Sequence, residues 1–517
     1  MIPLVILTIL SILFVLIHKY LTQKYCYWKK KCVPHLKPLP ILGNYGEYIL
    51  LKQYIGIVNQ KICLSYPKEP YVGSYYGTEP ALIIQCPELI KLVTTKDFYF
   101  FSSREISKYT HNEVFTQNMF FTYGDRWKVM RQNFSPLFSS AKMKNMFYLI
   151  EKCCHDLKDL LTEETKTSQV VEIRSIVARY TIDCIGSCVF GVDTNAMGKS
   201  DNHFRKMGEV IFEISNLRGF FLIARAIWPA LFYGLGLKTF PKAMNVFFHN
   251  LLTGVFKARN YAASTRNDFV DLVLSMAKNK YITGDRLSNL KTQKDEKTRL
   301  KVNDDLLVAN CLSFFAAGFE TSATTLSFTL YELAKDQAAQ SRAADEVRRY
   351  LGKGEGLKYD CVTELPYLEA CIDEALRLYP VLGVITREVV EEYTLPSGLR
   401  LEPGLRIHLP VYHLHRCAEY FPEPQKFMPE RFLPENRRNI QPYTYLPFGE
   451  GPRICIGMRF AKMQMLAGLV SVLAGHQVQL AGDMPRELRL EPRGLVTQPD
   501  QGIYLTLVRR ECPLGHL

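Results

Sequence analysis

Residues 2–17 (IPLVILTILSILFVLI) form an uncharged, almost wholly apolar run, and apolar character resumes at Tyr20 and Leu21 after His18 and Lys19. At helical rise the run covers roughly 24 Å, which reaches bilayer thickness if Lys19 snorkels and the span extends to Leu21. A cleaved signal peptide is the competing reading. Against it, no positive residue precedes the run, no small-residue cleavage site follows, and Lys19, Lys24, Lys29, Lys30 and Lys31 come directly after. Residues 1–21 are therefore expected as a transmembrane anchor, with the body on the cytosolic side by the positive-inside rule.

Residues 22–44 read as a basic, proline-rich neck, with Pro34, Pro38, Pro40 and Gly43 disfavouring helix. Beyond it the periods change. Residues 71–84 alternate like paired strands around a turn, while 146–191, 204–215 and 304–351 carry mostly helical patterning. Strand-like pieces return at 386–410 and 486–509, and 285–299 reads as a charged loop. The expected fold is mainly α with small β-sheets, an α+β arrangement, in one domain over residues 45–517.

Composition narrows the function classes. Of 517 residues 47% are hydrophobic, enough for one large core. The formal charge of +13 is spread along the chain, without the basic stripe or reading motif of a nucleic-acid binder. Fourteen cysteines in so long a chain fall far below the density of a disulfide scaffold. No CxxC or zinc-type Cys/His spacing occurs, and Cys153, Cys154, Cys184 and Cys188 read as core residues.

The most specific segment is FGEGPRICIG, from Phe448 to Gly457. Three glycines, a proline and an arginine around Cys455 make a tight loop whose backbone can approach a flat ligand and point amides at the sulfur. Average residue usage predicts this pattern by chance in about one such chain in a hundred thousand. Residues 304–335 read as one buried helix of about 48 Å, without proline. Inside it, AGFET (317–321) contains a mid-helix glycine and a buried acid, each costly unless used. Ala317 and Thr321 share a face, and Ala317 with Gly318 would leave room for a small ligand. Glu320 could equally be a salt-bridged structural acid. Glu374 and Arg377 lie one helical turn apart in EALR, a spacing expected about once by chance. Trp127 and Arg131 also share a helical face.

These motifs, in this order, resemble the cytochrome P-450 superfamily, and the likeness spans nearly the whole chain. It implies that Cys455 is the thiolate ligand of a haem b iron, with Phe448 packed beside it and Gly457 completing the loop. A thiolate is the ligand whose electron donation favours O–O scission. The helix beginning near Arg459 would help keep the sulfur ionised. Trp127, Arg131, Arg387 and Arg453 would reach the haem propionates, Ala317 would line the haem, and Thr321 with Glu320 would relay protons. Glu374, Arg377 and Arg431, the last in FMPERF, would form a structural charge network.

The resemblance implies a monooxygenase inserting one oxygen atom from dioxygen into lipophilic small molecules. The chain has no dinucleotide or flavin motif, so electrons must arrive from a partner, and the resemblance implies an NADPH-dependent cytochrome reductase, sometimes with cytochrome b5. Arg126, Lys128, Lys142, Arg459 and Lys462 are candidates for a basic docking face, or are ordinary solvated charge. The pocket walls would come from 105–120, 211–232, 315–321, 381–385 and 496–503, with the apolar 211–232 region either dipping into the membrane or forming plain core. The phrases ARYTIDCIGSCVFGVDTNA and YTYLPFGEGPRICIGMRFAKMQ are similar to insect microsomal members that oxidise xenobiotics, which implies an endoplasmic reticulum membrane location. Hydroxylation of an endogenous hormone or fatty acid uses the same motifs. A non-oxygenating haem protein, rearranging peroxides or sensing ligands, would not need Thr321 and Glu320.

Overall fold

The computed structural model describes residues 22–105, 107–198 and 202–510, with a few isolated positions before residue 22. The anchor expected over residues 1–21 lies outside these.

A helix over Asp304–Lys335 runs through the middle of the body. Its start is fixed by Asn303, whose side chain accepts from Leu306 N at 3.0 Å, and by Asp304 and Asp305 facing the positive helix end. It stops at Asp336, whose carboxylate accepts from Ala339 N at 2.9 Å and caps the next helix, Gln337–Leu351. The helical stretch expected over 304–351 is therefore two helices. Among the described residues the Asp304–Lys335 helix alone is long and apolar enough to cross a membrane, but 83% of its apolar window is buried in protein. Its neighbours explain its hydrophobicity.

The pattern over 146–191 also divides. Helix Ser140–Thr167 is followed by the short strand Val170–Glu172 and the helix Ile173–Ile185. Glu172 is the junction: its carboxylate accepts from Arg174 N at 3.2 Å and Ser175 N at 2.6 Å, capping the second helix. Helix Ile173–Ile185 packs along the central helix, and Cys153, Cys154, Cys184 and Cys188 are buried nearby, as expected.

Tyr71–Tyr76 and Glu79–Ile84 form the expected antiparallel pair. Arg406–Leu409 joins parallel to the second strand, and Ile385–Glu388 pairs antiparallel beyond it, giving four strands. A second sheet pairs His476–Leu480 with Tyr504–Arg509 and Val170–Glu172. Of the strand-like stretch 486–509, only the end is a strand. Residues before it are held by scattered bonds such as Glu491 N to Gln498 O at 2.8 Å.

The expected charged loop at 285–299 is in fact flanked by a hairpin, Tyr281–Asp285 paired with Lys297–Lys301. The KTRLK strand alternates exposed Lys297, Arg299 and Lys301 with half-buried Thr298 and Leu300. The hairpin is fixed from outside by Gln132, which accepts from Asp285 N at 2.8 Å.

Residues 22–44 are strapped to the first sheet. Trp28 is fully buried, and its Nε1 donates to Ser74 O at 2.8 Å. Gly43, at φ +61, lies so close to the sheet that a Cβ would stand 2.1 Å from Tyr75 O. Lys24 and Lys31 pair with Glu79 and Glu402, so two cations of the basic run are committed to the body.

Candidate functional site

The Cys455 loop closes on itself: Cys455 N donates to Phe448 O at 2.8 Å and Ile454 N to Gly451 O at 2.9 Å. Its glycines have separate reasons. Gly449 and Gly451 take left-handed φ of +73 and +72, and a Cβ on Gly451 would stand 1.8 Å from Thr94 O. Gly457 has open space, and its amide faces the cysteine sulfur just before helix Met458–Gly475 begins. Cys455 is enclosed by protein yet exposes its side chain, so it faces an internal space. Burial pushes its thiol up, opposed by the Gly457 amide and the Arg131 charge. The helix start helps the ionised form through the Gly457 amide, and a coordinated cation would favour the thiolate further.

The central helix presents a matching opening. Of residues 306–334 only Ala317 is exposed, with Gly318 and Thr321 partly so. Thr321 Oγ1 donates back to Ala317 O at 2.5 Å. Gly318 serves a different end from the one expected. A Cβ there would meet Ile185 Cδ1 at 2.3 Å, so this glycine permits close packing of two helices. Glu320 is buried and bound: it accepts from Arg174 Nη2, from Gln498 Nε2 at 3.0 Å and from Thr324 Oγ1 at 3.4 Å.

Four guanidiniums converge beside the cysteine loop. Arg453 stacks over Trp127 at 4.4 Å and donates to Ser102 O at 2.8 Å and Thr122 O at 2.7 Å. Burial, then the charges of Arg104, Arg387 and Arg131, depresses Arg453 well below the usual arginine range. Burial pushes Arg387 down to about 10. Arg387 and Arg453 have backbone carbonyls as partners, and Arg387 Nε is buried with no partner among the described residues. A cluster of like charges in which the Arg387 Nε has no partner among the described residues calls for an anionic ligand. A flat group bearing two carboxylates fits this donor set, with the Cys455 sulfur for a central metal. Arg104, whose neighbours FSSRE carry no motif, was invisible in the sequence and belongs to the cluster.

Behind the loop, Arg377 binds Glu374 through two bonds, Nε to Oε2 at 2.7 Å and Nη2 to Oε1 at 2.8 Å, with both side chains fully buried. Arg431 Nε stands 3.4 Å from Glu374 Oε1. Arg377 also donates to the carbonyls of His415 and Pro424 at 2.8 Å and Lys426 at 3.1 Å, gathering the chain ahead of the cysteine loop.

A cavity of about 760 Å³ lies against the N-terminal half of the central helix, walled by Val114, Phe115, Phe221, Phe240, Val308 and Leu312 among others. It uses the expected 105–120 and 211–232 walls but not 315–321, 381–385 or 496–503, so Ala317 and Thr321 are not part of its lining. Of the candidate docking cations, Lys142 and Arg459 are exposed, and Arg126 and Lys128 partly so. Lys462 is committed to Glu369 at 2.5 Å and Asp373 at 3.3 Å.

A cytochrome P450 family model matches residues 33–506. The chain is 36% identical to cytochrome P450 6k1 of Blattella germanica over 97% of both chains. It is 32% identical to cytochrome P450 6B7 of Helicoverpa armigera, over 97% of this chain and 98% of that one. It is 31% identical to probable cytochrome P450 6w1 of Drosophila melanogaster, over 96% and 97%. Proteins of this family are monooxygenases that bind haem b through a cysteine thiolate. With a match along nearly all its length, the chain belongs to the cytochrome P450 family.

Proposed function

We propose that this monooxygenase oxidises lipophilic foreign compounds at the endoplasmic reticulum membrane, its catalytic domain, residues 45–517, facing the cytosol from an anchor at 1–21 and a neck at 22–44. When bound, the haem supplies dioxygen activation and transfer of one oxygen atom to the substrate. Cys455 holds the iron, with the Gly457 amide facing its sulfur. Arg131, Arg387 and Arg453, with Trp127, hold the propionates. Phe448 flanks the sulfur and Ala317 the open face. Thr321, once its hydroxyl leaves Ala317 O, and Glu320 pass protons to that face. The substrate enters by the cavity that Phe115, Phe221 and Phe240 share with Val308 and Leu312, on the same central helix as Ala317 and Thr321 but nearer its N-terminal end. Electrons come from an NADPH-dependent reductase, with cytochrome b5 as auxiliary, docking where Arg459, Lys142, Lys128 and Arg126 offer positive charge.

The observation that carries this reading is Cys455, enclosed yet open to an internal space beside Arg387 and Arg453, for which the described residues offer backbone carbonyls and no carboxylate. Its test is the absorbance difference spectrum of the reduced, carbon-monoxide-bound protein beside Cys455→Ala. The long-wavelength Soret band of thiolate ligation is expected in the native protein and absent from the variant. A variant that keeps the band sinks the assignment.

A further inference from the structure

Glu113 precedes the short turn Val114–Gln117 in the 105–120 wall of the cavity, yet its side chain makes no bond to that turn. It binds the facing wall instead. Oε2 accepts from the backbone N–H groups of Thr239 and Phe240, each at 3.0 Å, and Oε1 accepts from the Tyr233 hydroxyl at 2.8 Å. Arg225 Nη1 stands 3.8 Å from Oε1, the one ion pair of Arg225 among the described residues. These donors sit on helix Asn216–Ile227, on helix Pro229–Gly234 and at the entry to helix Lys242–Ala258, up to 127 residues further along the chain. A carboxylate with a side-chain exposure of 3% needs that many donors, and Arg225, at 5%, needs that charge. Two more ties join the same walls: Lys238 Nζ donates to Asn112 O at 2.6 Å, and the Phe115 and Phe240 rings meet edge to face at 4.4 Å. Asn112, Glu113, Phe115, Lys238, Thr239 and Phe240 all line the cavity.

We infer that Glu113 fixes the width of this cavity and so selects substrates by their cross-section. This rests on the reading above that substrates enter here. Glu113 is a positioning residue, acting through the backbone it holds. With two consecutive backbone N–H groups on one carboxylate oxygen, the wall at 239–240 can neither slide nor tilt without breaking a buried bond. Because both walls are held at one side-chain length, Phe115 and Phe240 stay in contact, and an entering molecule passes beside the two rings rather than between them. Arg225 meets the Glu113 charge, so the pair gives the cavity no net charge. The class admitted is therefore flat or narrow, apolar and uncharged, and a broad molecule has to break the clasp.

The test measures dissociation constants of two coumarins for the haem-loaded protein by equilibrium dialysis, the narrow 7-ethoxycoumarin and the broad 7-benzyloxy-4-trifluoromethylcoumarin. Glu113→Ala should tighten the broad probe relative to the narrow one about fivefold. Glu113→Gln keeps an oxygen for the two backbone N–H groups and turns its amide to the Tyr233 oxygen. It should hold the native ratio to within about twofold, although Arg225 then lacks its counter-charge and the unfolding midpoint falls. A merely structural role would instead shift the ratio in Glu113→Gln along with the midpoint. An unchanged ratio in Glu113→Ala overturns the inference. If Glu113→Ala does not retain haem, Tyr233→Phe, which removes one donor from the clasp, must shift the ratio in the same direction, and its failure to do so is equally decisive. Val308→Phe narrows the cavity from the central helix. If it leaves both constants at their native values, substrates do not enter here and the underlying reading fails. Weaker binding of both probes in Val308→Phe, beside an unchanged ratio in Glu113→Ala, removes the role of Glu113 alone.

Discussion

The imidazole Nε2 of His415 accepts the backbone N–H of Leu446 at 2.8 Å, and the carbonyl of His415 accepts from Arg377 at 2.8 Å. One residue thus connects the buried Glu374–Arg377 pair to the chain two residues before Phe448. The bond direction fixes the chemistry: Nε2 must be unprotonated to accept, so the ring is neutral. Burial, followed by the nearby Arg377 charge, pushes His415 down to about 3.

Replacing His415 with Leu fills the volume but removes the acceptor, leaving the Leu446 N–H buried and unbonded. The expected loss is about 1–3 kcal/mol of stability. Because the loss falls at the root of the cysteine loop, haem content per chain should drop more than overall helicity does. Pyridine haemochrome content beside far-ultraviolet circular dichroism checks this, and equal losses in both would mean that His415 braces the whole fold rather than the loop.

Acid should act through the same ring. The folded His415 stays neutral down to about pH 3, whereas an unfolded histidine takes up a proton near its ordinary 6.5. Between those values the unfolded chain binds more protons, so stability falls as pH drops from about 6.5 towards 3. His413, pushed by burial to about 4, adds a contribution of the same sign. Raised carboxyls such as Glu374 and Glu346 act oppositely above the ordinary carboxyl range, where the folded chain holds the extra proton. Denaturant midpoints between pH 7 and pH 4 should therefore fall less steeply in His415→Leu than in the native chain. Parallel slopes would contradict a neutral, buried ring.

Much of this site could be read from the chain, and the parts that could not have physical causes. The cysteine loop, the central helix and the Glu374–Arg377 turn show themselves because their chemistry lies within one short segment. Arg174, Gln498 and His415 act through contacts 31 to 178 residues away along the chain, and Arg104 meets the Arg453 charge from farther still, distances at which no local period reports. The charged hairpin at 281–301 failed for a related reason, since Gln132 and Asn133 of another helix hold it and the uncharged face of its second strand is only Thr298 and Leu300. Of the strand expected over 486–509, the part before Tyr504 carries only the isolated bridge between Leu490 and Pro499, and bonds of that kind fix the segment with Thr497 and Gln498 buried.

The glycines of the cysteine loop should separate by substitution. Gly451→Ala combines a left-handed φ with a Cβ 1.8 Å from the Thr94 carbonyl, a backbone atom that cannot yield cheaply. It should cost more than about 2 kcal/mol and lower the unfolding midpoint even without haem. Gly457→Ala meets no atom within 4 Å in the protein. It should leave the apoprotein midpoint within a degree or two of native, and any defect should appear as weaker haem retention in a transfer assay with apomyoglobin. A large apoprotein loss in Gly457→Ala would show that the loop is already strained there.

Gly318 separates a packing role from a ligand-space role. If it made room for a ligand, adding a methyl would weaken ligand binding and leave the folded protein unaffected. Its missing Cβ instead faces Ile185 Cδ1 at 2.3 Å on the neighbouring helix. Gly318→Ala therefore gains helix propensity of about 1 kcal/mol but forces that methyl aside, and overpacking of this kind typically costs 1–3 kcal/mol. Removing the terminal methyl by Ile185→Val relieves the clash directly. Gly318→Ala alone should lower the unfolding midpoint, and Gly318→Ala with Ile185→Val should exceed the sum of the two single changes by about 1 kcal/mol or more. The contact is between helices, so this coupling appears with or without haem. Coupling confined to the haem-loaded protein would restore the ligand-space role.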